Sequence, residues 1–457
     1  MRVHMLGICG TFMGGLALLA RALGHAVSGA DANVYPPMSE QLAAAGIALT
    51  DGYAEPLPVP TPDVVVVGNA LTRGVPVVEQ LLESTVPFTS GPAWLAEHVL
   101  RGRHVLAVSG THGKTTTASM LAFVLDRAGL EPGFLIGGVP HDFGVSARLG
   151  GDRRGPFVVE ADEYDSAFFD KRSKFVHYHP RTLVINGIEF DHADIFDDVS
   201  QIRRQFHHLV RTLPATARIV VPAADPEVDA TLALGCWSAL ERLDGPTSRF
   251  RLDDVAADGG SFCVVADGER HAVSWGLIGH HNVRNALATV VAAEHVGVDP
   301  AAACRALASF GGVRRRLEVR ARTAGITVYD DFAHHPTAIR ETLGGLRARV
   351  GAARILAVLD PASNTMRRGV HRATLGPALD AADRAWVHRP PSLGFDPEEI
   401  ARTSAVPVAF EADIDRLVAA VVEAARPGDH VLVMSNGGFG GFHHRLARAL
   451  EARSGTG

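Results

Sequence analysis

Lysine is scarce in this chain, occurring only at positions 114, 171 and 174. One of the three, Lys114, sits in the stretch Gly110-Thr111-His112-Gly113-Lys114-Thr115-Thr116-Thr117, directly after the apolar run Val105–Val108. Residues of these types in this order suit phosphate chemistry. Backbone N–H groups freed by Gly110 and Gly113 can converge on anionic oxygens at a helix start, where the dipole is positive. Lys114 would neutralise the β and γ phosphates, and the Thr115 hydroxyl would ligate Mg²⁺. The first glycine of a full G-x-x-x-x-G-K-[ST] pattern is replaced by Val108. The competing reading is an ordinary strand-to-helix turn capped by threonines.

A triphosphate site needs a magnesium ion, which takes oxygen ligands and few protein groups. Glu160 follows the apolar Phe157-Val158-Val159, with Asp162 and Glu163 as alternatives, and Asp191 with His192 follows the next apolar run. A strand-end histidine by itself is more often a satisfied surface residue. Beside a phosphate loop and an acid cluster, it completes a metal-assisted phosphoryl-transfer site with Lys114, Thr115 and Glu160.

A second glycine-rich loop opens the chain: Gly7-Ile8-Cys9-Gly10-Thr11-Phe12-Met13-Gly14-Gly15. Its glycines permit close backbone approach, and an apolar-periodic helix follows, so a pyrophosphate is expected there. Asp31 lies where a ribose-binding acid falls in dinucleotide enzymes, which makes a nicotinamide-dependent oxidoreductase the natural rival. An ATP site next door favours a UDP-sugar instead, with Asp31 near the nucleoside.

These loops need strands and helices to hold them. The chain has 457 residues, 47% of them hydrophobic, enough for several cores. An alternation of strands, loops and helices begins three times, and the first two blocks open with a strand, a glycine loop and a helix. An α/β protein of three domains is expected: a Rossmann-like N-terminal unit over 1–101, a central P-loop ATPase-type unit over 102–314, and a C-terminal Rossmann-like unit over 315–457. The formal net charge of −6 gives no general pull toward nucleic acid or anionic membrane, so neither is an expected partner. Cys9, Cys236, Cys263 and Cys304 form no C-x-x-C pair, which suits a reducing compartment. With no apolar run approaching bilayer length and no leader pattern at the start, the cytoplasm is the expected location.

Six motifs in order, GTHGKTTT, VVEADE, EFDHAD, GHHNVRNA, RRRLEV and DDFAHHPT, resemble the Mur ligase family and span most of the chain. The shortened phosphate loop is that family's own form. The resemblance implies ATP and Mg²⁺ as cofactors and an amide bond made through an acyl phosphate. It implies ATP contacts from Gly110, Thr111, His112, Gly113, Lys114, Thr115 and Thr116, with Asn282 and Asn285 near adenine, Arg316 on phosphate and Asp331 on ribose. By local sequence alone, Asn282 and Asn285 read first as helix-capping residues on a hydrophilic face. Metal ligands by the resemblance are Thr115, Glu160 and His192, and His334 lies near the acyl phosphate. The carried-over UDP-sugar residues are Gly7, Cys9, Gly10, Thr11, Phe12, Met13, Gly14, Asp31 and Asn69.

Within the family, the stretches YDSAFFDKRSKFVHY, SNTM and SNGGFGG resemble a branch that joins UDP-N-acetylmuramate to a murein tripeptide, with Asn364, Thr365 and Arg367 toward the peptide. Two alternatives stand beside it: a single L-alanine as acceptor, and a non-catalytic UDP-sugar or ATP sensor. A monomer or weak homodimer is the expected assembly. Two departures matter. No lysine follows Lys174, so the carbamylated lysine of several relatives has no counterpart, and Ala362 stands where an arginine is expected before SNTM. Arg367 and Arg368 are near enough to substitute for it.

Overall fold

The computed structural model describes residues 1–34, 38–54 and 56–454. Three main sheets follow one another along the chain. The first is a five-stranded parallel sheet in which the strand Arg2–Leu6 lies between Ala26–Asp31 and Val64–Val67. Its glycine loop enters the helix Thr11–Ala22, which buries Met13, Leu16, Leu19 and Ala20.

The second sheet has seven strands, and the strand His104–Ser109 lies inside it between Thr182–Ile185 and Pro156–Glu160. Val105 and Ala107 enter one apolar cluster while Leu106 and Val108 enter another. Alternate side chains of an unbroken apolar run thus serve cores on opposite faces, which is why the run shows no polar alternation. Because all three strands are parallel, with Ser109 opposite Ile185 and Val108 opposite Glu160, their C-terminal ends share one edge. That register carries the phosphate loop, the acid cluster 160–163 and the segment 186–192 to one place. A three-stranded antiparallel sheet, Phe250–Asp253, Ser261–Ala266 and Glu269–Ser274, packs Phe250, Phe262 and Val264 into the second of these cores. The sequence reading had not distinguished this sheet.

The third sheet has six strands, parallel except for Glu318–Thr323, which runs antiparallel to Ile326–Asp331. Asp331 lies opposite Met434 at the sheet's C-terminal edge. Among the described residues, no helix is long and apolar enough to cross a membrane.

Candidate active site

The helix Lys114–Arg127 begins at Gly113, whose φ of 75° is left-handed and which supplies no side-chain cap. Helix Thr11–Ala22 likewise starts at an uncapping glycine, Gly10. By contrast, Asp198, Asp225, Asp299 and Asp413 cap their own helices with carboxylates. An aspartate cap would occupy the orphan N–H groups and repel phosphate, whereas glycine leaves them to an incoming anion. The threonine-capped turn is therefore not the structure adopted. A Cβ on Gly110 would lie 2.9 Å from Gly187 O and from the Asn186 nitrogen, so the loop can seat against 186–187 only as glycine.

Lys114 Nζ donates to Gly110 O at 2.7 Å and to Glu163 Oε2 at 2.8 Å. Burial opposes its charge, but Glu163, Asp162 and Glu160 outweigh burial and raise its pKa. The Thr115 hydroxyl donates to Glu160 Oε1 at 3.0 Å, and the Gly137 N–H donates to Oε2 at 2.6 Å. Burial pushes the Glu160 carboxyl up despite Lys114 and Arg316. Arg316 donates to Thr115 Oγ1 at 3.2 Å across 201 positions of sequence.

His192 has a left-handed φ of 55°. Its Nε2 lies 3.3 Å from Glu163 Oε1, and its pKa rises to about 9 because Glu163 and Asp191 overcome burial. The expected metal set thus falls into two adjoining groups, Thr115 with Glu160, and His192 with Glu163 and Asp162. The latter three offer ligand atoms within 4.8 Å of one another. A donor set of carboxylates and one hydroxyl is oxygen-rich and fits Mg²⁺, and the His192 imidazole could join it only on giving up the proton that Glu163 and Asp191 favour.

Lys114, Thr115, Glu160, Asp162, His192 and Arg316 line a cavity of about 1060 Å³ together with Thr111, His112, Asn282, Asn285, Asp331 and His334. The Asn282 side chain donates to Ile278 O at 2.8 Å. Asn285 accepts from Asn186, and its own Nδ2 is buried without a partner beside the phosphate loop. Asp331 accepts from the Leu317 and Ala333 N–H groups, both at 2.7 Å. His334 Nδ1 lies 3.0 Å from Phe332 O, its Nε2 lies 3.9 Å from Asp191, and burial lowers its pKa.

A second cavity, of about 580 Å³, is lined by Gly7, Cys9, Gly10, Thr11, Phe12, Met13, Asp31 and Asn69. Asp31 takes the Cys9 N–H at 2.8 Å and the Asn33 N–H at 2.9 Å, which clamps the loop to its strand. Gly14 is set apart from the cavity lining: a Cβ there would meet Met38 Sδ at 2.3 Å, so its glycine serves packing. Both cavities include Gly137, Glu160 and Asp162 in their walls, so they meet at the acid cluster.

Three family models match the chain: "Mur ligase family, catalytic domain" over 2–103, "Mur ligase middle domain" over 108–293, and "Mur ligase, glutamate ligase domain" over 315–437. The chain belongs to the Mur ligase family. It is 54% identical over 99% of both chains to the UDP-N-acetylmuramate–L-alanyl-γ-D-glutamyl-meso-2,6-diaminoheptandioate ligase of Escherichia coli. It is 36% identical, over 85% of this chain and 83% of the other, to the UDP-N-acetylmuramate–L-alanine ligase of Rubrobacter xylanophilus. A crystal structure of a murein peptide ligase from Psychrobacter arcticus matches at 45% identity and a TM-score of 0.77, covering 99% of each chain. This Mur ligase is an ATP-dependent ligase with the family's three-domain α/β architecture.

In this Mur ligase the expected peptide residues lie against the central unit and line neither cavity. Asn364 donates to Asp194 at 2.9 Å, and the Thr365 hydroxyl accepts the Ala193 N–H at 3.1 Å. Arg367 Nε is buried without a partner, while Arg368 donates to Ala193 O at 2.7 Å. Sequence reasoning missed Asn186, which donates to Thr117 at 3.0 Å and braces the phosphate loop. A polar residue ending the apolar strand Thr182–Ile185 was the available signal. It also missed Glu189, whose Oε2 accepts from Thr337 at 2.8 Å and lies 3.4 Å from His112 and 3.5 Å from His335. No local pattern announces its contacts to Thr337 and His335, which form only where the second and third units meet.

Proposed function

We propose that this chain joins the carboxylate of UDP-N-acetylmuramate to the free amine of L-alanyl-γ-D-glutamyl-meso-diaminopimelate, with release of ADP and phosphate. The observation that carries this reading is the meeting of two anion-ready cavities at one acid cluster. One is entered by the glycine loop 7–15, the other by the phosphate loop, so a sugar-borne acid and a γ phosphate can reach each other. We take the working units as 1–101 for the UDP-sugar, 102–314 for ATP and 315–457 for the amine. The site residues keep the roles given by the motifs.

A carboxylate is a poor electrophile, and its oxygen is a poor leaving group. Its attack on the γ phosphorus, with loss of ADP, corrects both faults and leaves an acyl phosphate. Lys114, held by Gly110 and Glu163, and Arg316, held on Thr115, stabilise the charge that spreads over the phosphoryl oxygens. Mg²⁺ held by Thr115, Glu160 and His192 would add Lewis-acid stabilisation. The amine then attacks the acyl carbon and displaces phosphate, and His334, held toward its neutral form by burial, can accept the amine's proton. The C-terminal unit's contacts at 193–194 hold it against the central unit, and closure of the units would protect an acyl phosphate from hydrolysis.

The higher identity to the tripeptide-named relative, 54% against 36% for the alanine-named one, supports the longer acceptor. Both substrates and ATP are held by a cytoplasmic enzyme on this reading. The test is phosphate release with ATP and UDP-N-acetylmuramate, offering the tripeptide and L-alanine in separate reactions. Turnover with tripeptide far above that with L-alanine is expected. Preference for L-alanine would reassign the acceptor.

A further inference from the structure

Two of the three lysines flank the acid cluster from opposite sides. Lys114 faces the phosphate cavity, while Lys174 lines the sugar cavity, where it is 8% exposed. The third, Lys171, is on the surface and paired with Asp165. Lys174 opens the short turn Lys174–His177 after the strand Asp170–Ser173. Its backbone N–H donates to Tyr164 O at 2.9 Å, and the Ser173 hydroxyl donates to Glu163 O, so the turn is stitched to the acid cluster itself.

The Lys174 ammonium donates to Asp162 Oδ2 at 2.8 Å and stands 5.7 Å from the Phe12 ring centre and 5.6 Å from that of Tyr164. An ammonium has three N–H groups, and Asp162 is the hydrogen-bond acceptor found for them among the described residues. Phe12 belongs to the glycine loop 7–15 and Asp162 to both cavities, so the ammonium stands between that loop and the place where the cavities meet. A lysine needed only to neutralise Asp162 could do so from any side; this one is buried on the donor's side.

We propose that Lys174 binds the donor's carboxylate and thereby selects the UDP-sugar that carries one. Its ammonium bridges Asp162 and the incoming acid, offsets their mutual repulsion and fixes the attacking oxygen toward the γ phosphate. This rests on the donor assigned above. In the reaction the lysine forms no covalent bond and keeps its proton.

The experiment compares equilibrium binding of UDP-N-acetylmuramate and UDP-N-acetylglucosamine by the full chain, as wild type, K174M and K174R. The second ligand has the same nucleotide, diphosphate and amino sugar and lacks the acid. Wild type should prefer the acid-bearing sugar, and K174M should lose about ten- to hundredfold of that preference, the range for a charged hydrogen bond. Affinity of K174M for UDP-N-acetylglucosamine should stay at the wild-type level, and K174R should recover part of the preference.

An unchanged preference in K174M overturns the proposal, and so does a K174M chain that binds an ATP analogue but neither sugar. If wild type itself shows no preference and no donor-dependent ADP release, the donor assignment fails instead. A crystal of wild type with UDP-N-acetylmuramate reads the same point without a variant. Lys174 Nζ should lie about 2.7–2.9 Å from a carboxylate oxygen, and a carboxylate seated elsewhere contradicts the proposal.

Discussion

Glu163 is 1% exposed and touches both Lys114 and His192, one through each oxygen. Burial disfavours its charge, yet Lys114 and His192 prevail and lower its pKa. It therefore aims two groups that act on phosphate and metal while itself staying behind them. Replacing it by glutamine keeps the shape and removes the charge that pairs with Lys114. Donor-dependent ADP release by E163Q should fall by about 10²-fold in kcat, on the scale of losing one preorganised charge contact. A rate within twofold of wild type would make Glu163 a structural residue only. Glu163 was visible in the sequence as one of three neighbouring acids. Its partners were not, because Lys114 is 49 positions away and only the parallel register of two strands brings them together.

At the scale of elements, the two helices that follow the glycine loops, Thr11–Ala22 and Lys114–Arg127, begin at glycine. A Cβ on Gly113 would meet Asn285 Oδ1 at 2.5 Å and Asn186 Nδ2 at 2.8 Å, and the residue's φ of 75° adds strain for any side chain. G113A should lose ATP-analogue binding by about five- to thirtyfold, since about 1–2 kcal/mol of strain falls on the loop itself. Calorimetry with unchanged affinity would refute this. A different cap governs the helix Pro336–Val350, where His335 Nδ1 accepts the Thr337 N–H at 3.3 Å. Burial, with His112 and His371 nearby, lowers the His335 pKa to about 3. A folded-state value below the unfolded one of about 6.5 gives stability that is present above pH 6.5 and is lost as pH falls toward 3. H335A should cost about 1 kcal/mol at pH 7 as a lost cap and lose less stability than wild type between pH 6.5 and 4.5. Parallel denaturation midpoints for the two chains would contradict that linkage. The glycine loops and apolar strands were legible in sequence because their signals are local. The cap at His335 was hidden inside a motif that resemblance alone would assign to chemistry.

For the whole molecule, the three units meet around the acid cluster. Asp194 accepts from Asn364 at 2.9 Å and also from the Tyr164 hydroxyl, so one carboxylate ties the C-terminal unit to the loop that carries the acids. D194A should lower kcat about 5- to 30-fold and raise the acceptor KM, while leaving ATP-analogue affinity unchanged, because it weakens closure rather than the nucleotide site. Unaltered steady-state constants would show that closure does not depend on this tie. Three α/β units could be read from the recurring strand-loop-helix order. Their mutual placement could not, since the contacts that set it join residues as far apart as Ala193 and Thr365. The account's central claim is that the donor's acid is made reactive by phosphorylation at the junction of the two cavities. It is tested most directly by UDP-N-acetylmuramate labelled with ¹⁸O in its carboxylate. The label should pass to the released phosphate, one carboxylate oxygen per turnover, as read by mass spectrometry. Phosphate free of label while the amide forms would contradict the account.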